Sequence, residues 1–335
     1  MDVKHIFSLG IGQKMKMKYL LLVFLGLQCF AGAIFAQAYP NRPIKVIVPY
    51  TPGGSVDNTC RLITDQLQKQ LGQSVVVENK PGASGQIGSM EVMRAPADGY
   101  TLLCHASSQV YMPLVVKKKT YDAEKDFTSI AQIGYVPLAI VTYPKFEANN
   151  FKEFVALVKK TPGKYTWATS GLGTSSHLSE EMLNRALKLN MEIITYKGAV
   201  PQLTDVMGGH VTAAISPLPG VTSFIKSGHL KVLAFTSDKR MAAYPNVATV
   251  AESGLPGFEM NSWYGLWGPA NLPKDIVKKL ADQVAIALKN KTVLDRMNEL
   301  EFEPSTINTA QFEKLVKDET VKIGTLAREA NISIE

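Results

Sequence analysis

Two glycine-rich stretches hold the residues best placed for chemistry in this chain. The first is Pro52, Gly53 and Gly54, with Asp57 just behind; the second runs from Ser170 through Gly171, Gly173, Thr174 and Ser175 to His177. Glycines let the backbone turn tightly and present consecutive N–H groups, and a helix started behind the turn adds the positive end of its dipole. Such turns hold anions. Each charge-assisted hydrogen bond to a carboxylate contributes roughly 1.5–3 kcal/mol. Three or four of them, less the cost of immobilising the ligand, support about micromolar binding, near −8 kcal/mol. One such turn alone is equally an ordinary strand-to-helix connection; two of the same build point to a shared ligand. Asp57 would repel an anion, so it suits a helix start or a held water better than direct contact. His177 suits a helix start or packing better than contact, and Lys197 either neutralises the ligand or is simply solvated.

Catalytic readings fit poorly. Serines near His177 invite a hydrolase of carboxylate esters, yet no G-x-S-x-G elbow is present, and Ser175 and His177 in one helix start make poor triad geometry. His105 and His210 lack metal-ligand spacing with other His or Cys residues. Gly171-Leu172-Gly173 does not complete G-x-G-x-x-G because position 176 is Ser, and the first turn lacks the lysine of a phosphate loop. The expectation is a binding protein with no catalytic residue, no metal and no cofactor.

The chain has 335 residues, 46% of them hydrophobic and 19% charged, which is enough for a large core and two domains. Lys14, Lys16 and Lys18 precede an apolar run from Tyr19 to about Phe35, and Ala36-Gln37-Ala38 supplies small residues two apart. Residues 1–38 therefore read as a secretory signal peptide, with an N-terminal membrane anchor as the alternative. Export to the periplasm follows from the first reading. Without that segment the net charge falls from +7 to about +4 and is spread along the chain, only Lys117-Lys118-Lys119 being clustered. A nucleic-acid footprint would need a basic stripe with interleaved aromatics, so no nucleic-acid partner is expected. Cys60 and Cys104 remain; an oxidising compartment permits a bridge, but the reading favours two buried thiols.

The two turns must be positioned by strands and helices in alternation. An apolar run at 44–48 leads into the first turn, and an amphipathic helix follows to Leu71. Strands at 74–78 and 100–104 follow, the latter ending in His105, Ala106, Ser107, Ser108 and Gln109, at an edge where ligands collect. A long apolar stretch at 127–141 reads as a crossing into a second cycle, where the strand at 165–168 opens into the second turn. Glu180 and Glu181 are expected in the first helical turn behind it, matching the dipole. The stretch 258–267 reads as the return crossing, with Trp263 and Tyr264 either closing over a ligand or packing in the core, and three helices end the chain. Alternation of this kind argues for parallel α/β construction, and two crossings make a hinge.

Several stretches in fixed order, PNRPIKVIVPYTPGGSVD at 40–57, VVENKPGASGQIG at 76–88, SGLGTSSHL at 170–178, YKGAVPQLTDVMGGHV at 196–211 and PNVATVAESGLPGFEMNSWYGL at 245–266, resemble the substrate-binding proteins of tripartite tricarboxylate transporters, the Bug family. The resemblance implies a type II periplasmic-binding-protein fold, two α/β lobes joined by two crossing strands. It places domain 1 at 39–136 plus 262–335 and domain 2 at 137–261. It further implies a monomer that carries a small carboxylate to the large and small subunits of a membrane permease; a receptor for a membrane sensor kinase is the alternative. By the resemblance the ligand is gripped by the loops at 50–57 and 169–176. Two departures stand out: Ser216 ends a strand that in the family usually ends in an acid, and Cys104-His105-Ala106 replaces the family's more frequent Gly, Thr or Asn. Both lie where the distal end of a ligand is expected.

Overall fold

The computed structural model describes residues 39–329 and 332–333; the expected signal peptide lies outside the described residues. The chain alternates strands and helices around ten strands in the order β2-β1-β3-β9-β4-β7-β5-β6, with β8 and β10 also paired to β4. The first lobe opens with β1 (Ile44–Val48), whose residues 46–48 are fully buried, followed by α1 (Ser55–Leu71). Strand β2 (Val75–Asn79), α2 (Gln86–Met93), β3 (Thr101–Ala106) and α3 (Ser108–Val115) complete that run. Strands β2, β1 and β3 are parallel.

Strand β4 (Phe127–Thr142) is the shared element. Its residues 127–137 pair antiparallel with β9 (Asn261–Pro269), and its residues 138–142 pair with β7 (Ala213–Pro217). The second lobe is built on that second half. It contains α4 (Phe151–Lys160), β5 (Thr166–Thr169), α5 (Ser175–Leu187), β6 (Glu192–Thr195), α6 (Ala199–Met207), α7 (Leu218–Lys226) and β8 (Lys231–Phe235). Strand β9 returns the chain to the first lobe, which ends with α8 (Lys274–Ala287), α9 (Lys291–Glu299), the two-residue β10 (Glu303–Pro304) and α10 (Thr309–Glu329). This is the two-lobed, twice-crossed α/β architecture expected from the sequence.

Three local features differ from the sequence reading. Helix α3 was not expected, because it shows no polar face: Val110, Tyr111, Met112 and Val115 are buried together with Ser108 and Gln109, and Pro113 lies inside it. Without an amphipathic period, a buried helix leaves no 3.6-residue signal. Helix α5 begins at Ser175, so Glu180 and Glu181 fall beyond its first turn. Cys60 and Cys104 are joined as a disulfide, with Cα atoms 6.0 Å apart, tying α1 to the end of β3. Both residues are buried as the thiol reading required, but strand register brings the two side chains together, and spacing alone does not reveal that.

The bridge closes a separation of 44 residues. On the chain-entropy account its loss costs roughly 2–4 kcal/mol. A Cys60→Ala/Cys104→Ala double variant is expected to lose that much unfolding free energy in urea titration; an unchanged midpoint would mean that packing alone holds α1 on β3.

Candidate functional site

The carboxyl ends of β1, β3, β5 and β7 meet at a cleft between the lobes that holds about 480 Å³, part of it open to solvent. Parallel α/β sheets collect ligands at such edges. Its lining is Tyr50, Thr51, Gly54, Ser55, Val56, Ala106 and Ser108 from the first lobe, with Ser262 and Tyr264 from β9. The second lobe adds Ser170, Thr174, Ser175, Ser176, Ala199 and Pro217. Ten of these fifteen side chains carry a hydroxyl and none is charged, so the cleft offers neutral donors and acceptors only.

Nine of the lining residues stand at the N-cap or the first two positions of a helix. Gly54, Ser55 and Val56 begin α1, Ser108 begins α3, Thr174, Ser175 and Ser176 begin α5, Ala199 begins α6, and Pro217 caps α7. Five helix N-termini therefore converge on one cavity. The first N–H groups of each helix lack intrahelical acceptors, and each N-terminus carries about half a positive charge. The arrangement is an anion cage built from backbone.

In the first loop, Gly53 N–H donates to Asp57 Oδ2 at 2.9 Å, so the Asp57 carboxylate, not a ligand, takes that donor. Arg61 Nε and Asn79 Nδ2 donate to the same carboxylate at 3.0 and 2.9 Å. Burial works to raise the Asp57 pKa, but these bonds outweigh it and hold the carboxyl below its ordinary range. Asp57 is thus a fully engaged brace for the turn. Gly53, at φ 83°, needs the left-handed backbone that glycine accepts.

In the second loop, Thr174 Oγ1 accepts the His177 N–H at 3.1 Å and donates to Gly171 O at 2.9 Å, while Gly173 N–H points to His177 Nδ1 at 3.4 Å. Thr174 is thus the helix N-cap, and the His177 ring closes back on the loop before it. Burial lowers the His177 pKa to about 4, so the ring is neutral at pH 7. The loop also meets the first lobe. Leu172 N–H donates to Ser84 Oγ at 2.9 Å, and a Cβ on Gly173 would sit 2.8 Å from Met112 Cα. Ser84 lies in a turn where Gly82, Ala83, Ser84 and Gly85 all have positive φ. For Ala83 and Ser84 that conformation is strained.

Within the lining, Tyr50 Oη and Ser108 Oγ are 3.0 Å apart, and Ser108 Oγ is 3.3 Å from the buried His105 Nδ1. Ala106 N–H also donates to His105 Nδ1 at 2.8 Å, which puts the ring proton on Nε2, buried without a partner. Burial pushes the His105 pKa down to about 3. Glu180 is fully buried under α5; its Oε1 accepts Ile215 N–H at 3.4 Å and its Oε2 has no partner. Burial raises its carboxyl pKa well above the ordinary range.

Of the sequence-nominated residues, Gly54, Ser108, Ser170, Thr174 and Ser175 line the cleft. Gly171, Gly173 and His177 shape the second loop from behind it, and Ser107, nearly fully buried, begins the chain's turn into α3. Pro52 and Gly53 lie on the exposed side of the first turn, and Lys197 is exposed. Ser216 is buried next to the lining residue Pro217. Trp263 packs in the core, its Nε1 donating to Tyr111 Oη at 3.2 Å and its ring against Phe312. Alternation along β9 explains this: Ser262 and Tyr264 face the cleft, so Trp263 faces away. Tyr264, offered from sequence beside Trp263, does line the cleft, and the period-2 rule selects it together with Ser262 over Trp263. Tyr50, Thr51, Ser55, Val56 and Ser176 fall in the loops 50–57 and 169–176 that the resemblance assigns to the ligand, and Ala106 in the named edge of β3; Ala199 and Pro217 were not singled out for the site. Among the described residues, no group of His, Cys, Asp or Glu could hold a metal, and no helix is long and apolar enough to cross a membrane.

Comparison with known proteins agrees with this architecture. Residues 59–332 match the family model described as tripartite tricarboxylate transporter family receptor. The chain is 34% identical to Protein BugT of Bordetella pertussis over 318 residues, covering 93% of this chain and 97% of that one. Among solved structures, the periplasmic binding protein BugD is 35% identical with a TM-score of 0.85, over 89% of this chain and all of that one. The R. palustris protein Rpa4515 with adipate is 30% identical, also with a TM-score of 0.85, over 88% of this chain and 99% of that one.

The raised pKa of Glu180 has a measurable consequence. Its folded pKa lies above the unfolded value, so above about pH 4.5 the unfolded chain releases a proton that the fold retains, and the fold loses stability as pH rises toward the folded pKa. Glu180→Gln removes that penalty. The variant is expected to match the parent near pH 4 and to exceed it increasingly as pH rises above about 4.5 in urea unfolding. A difference independent of pH would mean that Glu180 is ionised in the fold.

Proposed function

Because the chain belongs to the tripartite tricarboxylate transporter family of receptors, we propose that it is a periplasmic solute-binding protein that captures a small carboxylate between its lobes and delivers it to the large and small subunits of a membrane permease. The observation that carries the ligand class is the meeting of five helix N-termini in a cleft lined by hydroxyls and free of charged side chains. A carboxylate there accepts N–H bonds from the starts of α1 and α5 and hydroxyl bonds from Ser170, Ser175 and Ser108. The R. palustris relative with adipate supports the same class. The chain has no catalytic role in this reading: Thr174 Oγ1 is occupied as a helix cap, and Ser175 and His177 at one helix start lack triad geometry.

Capture proceeds by closure of residues 137–261 against residues 39–136 plus 262–335, in a monomer, with β4 and β9 as the hinge. The Ser84–Leu172 hydrogen bond joins the two units and belongs to the closed form. Thermal-shift screening of the mature protein against mono- and dicarboxylates tests the ligand class; at a hundred times its dissociation constant a ligand stabilises by about 2.7 kcal/mol. No shift with any acid would overturn it.

Two variants examine the parts. A Cβ on Gly54 would meet only Thr51 O at 3.7 Å and Ala199 Cβ at 3.9 Å, so the fold accepts a side chain there while the cleft loses space. Gly54→Val is expected to weaken the best ligand of the screen at least tenfold with an unchanged melting temperature; full affinity would remove the first loop from the site. Ser84→Ala is expected to weaken binding about fivefold, the worth of one hydrogen bond of about 1 kcal/mol. Small-angle scattering showing no compaction on ligand addition would refute closure.

A further inference from the structure

We propose that a second cavity, on the face of the crossing strands turned away from the ligand cleft, sets the balance between open and closed lobes, so that bulk placed in it tightens ligand binding from outside the cleft. It rests on the closure reading given above and goes beyond it. Side chains alternate along β9: Ser262 and Tyr264 line the cleft, whereas Asn261 and Trp263 line this other cavity, which holds about 650 Å³ and is partly open to solvent. The two cavities therefore lie on opposite faces of one strand.

Its walls belong to different lobes. On one side stand Tyr111 of α3 with Leu315, Glu319 and Lys322 of α10. Tyr111 Oη donates to Glu319 and accepts the Trp263 Nε1–H, and Trp263 stands edge-on to Phe312, so this wall is fixed to the first lobe. On the other side stand Glu259, Met260 and Asn261, where the chain crosses back. Thr236, just after β8, holds them to the second lobe: Met260 N–H donates to Thr236 O at 3.1 Å, and Thr236 Oγ1 donates to Met260 O at 2.6 Å while accepting Leu138 N–H at 2.9 Å. One threonine thus ties both crossing strands, at Leu138 and at Met260, to the same lobe.

Rotation about strands that lie between two cavities narrows one as it widens the other. On the cleft side the lobes touch: Leu172 N–H donates to Ser84 Oγ at 2.9 Å, and a Cβ on Gly198 would stand 2.5 Å from Thr51 Oγ1. The cavity on the far face is correspondingly wide. Opening the cleft carries residues 259–261 toward α10 and shuts that cavity. Packed groups do not interpenetrate, so anything that fills the cavity obstructs the open form and leaves the closed form undisturbed. Apparent affinity scales with the fraction of protein already in the binding-competent form, and the obstruction therefore reads out as tighter binding.

Bulk can be added after folding. Cys60 and Cys104 are joined, so an introduced cysteine is the one free thiol of residues 39–335. Lys322→Cys, at a side chain 65% exposed on the first-lobe wall, and Asn261→Cys on the opposite wall are each converted to a methyl and to a benzyl mixed disulfide. Lys317→Cys, exposed on α10 but outside the cavity, is the control. Without ligand, small-angle scattering is expected to give the benzyl adducts at 322 and 261 a smaller radius of gyration than their methyl adducts, with no difference at 317. In calorimetric titration with the tightest binder among adipate, malate, glutarate and benzoate, the benzyl adducts at 322 and 261 are expected to bind about threefold more tightly than the methyl adducts, again with no difference at 317. Should none of the four acids bind, the scattering of the ligand-free adducts decides alone. Equal radii and affinities for the two adducts, weaker binding by the benzyl adducts, or the same gain at 317 overturn the inference. Closure stands without it if the acid still compacts the unlabelled protein, and falls with it if no acid does.

Discussion

The structure depends on a single constraint of helix chemistry: the first N–H groups of a helix have no acceptor within it. Most helix starts satisfy them with a side-chain cap or with water. Here Gly54, Gly198 and Pro217 stand at the N-caps of α1, α6 and α7 without a side-chain capping bond, and all three helices begin at the cleft. Only α5 of the helices that open on the cleft has a capping side chain, Thr174, and its bond goes to the His177 N–H, leaving the N–H groups of Ser175 and Ser176 facing the cavity. An anion is the group that satisfies such an array, and the parallel strands exist, in effect, to bring the helix starts to one place.

That requirement explains the long strand β4. Helix starts from one sheet can surround only part of a ligand; a second sheet must supply the opposing set and be able to approach it. Strand β4 gives its residues 127–137 to one sheet and 138–142 to the other, and β9 crosses back beside it. Gly134 allows β10 to pass close by: a Cβ there would collide with Phe302 and the Glu303 carbonyl. Tyr111, hydrogen-bonded to Glu319 of α10 and to Trp263 of β9, anchors the far side of α3, so the helix start that carries Ser108 is fixed to the core.

Much of this was legible in the sequence, for reasons that vary by residue. The unit from Ile44 to Leu71 was readable because an apolar run, a Pro-Gly-Gly turn and an amphipathic helix each leave a local mark. The turn at 170–175 repeated that mark and pointed to the second jaw. Helix α3 left none, since its residues are buried on every side. The Cys60–Cys104 bridge and the brace from Asp57 to Asn79 depend on which strands are neighbours, and register is a property of the whole sheet. Trp263 was nominated for its aromatic bulk, yet the alternation of β9 gives the cleft to Ser262 and Tyr264. Glu180 was assigned to a first helical turn, where its charge would suit the dipole; α5 starts five residues earlier, and burial raises the pKa of the residue instead.

A site could hold a carboxylate with one arginine, so the use of backbone and hydroxyls requires a reason in physical terms. A guanidinium in a closing cleft must lose its own hydration in the open-to-closed change, and when the ligand leaves it favours whichever counter-ion is at hand. Helix N-termini carry fixed partial charges held by the fold, so the cleft needs no side-chain reorganisation to meet an anion. Their donors are also many and individually modest, so in the proposed cycle a ligand would lose half of them whenever the lobes separate. The cluster of Asp57, Arg61 and Asn79 shows the same economy of charge: the acid at the mouth of the first loop is neutralised by its own helix, and the cleft is left to neutral groups. On the proposed function, tight capture in a closed form and ready release in an open form would both follow from this one arrangement of backbone.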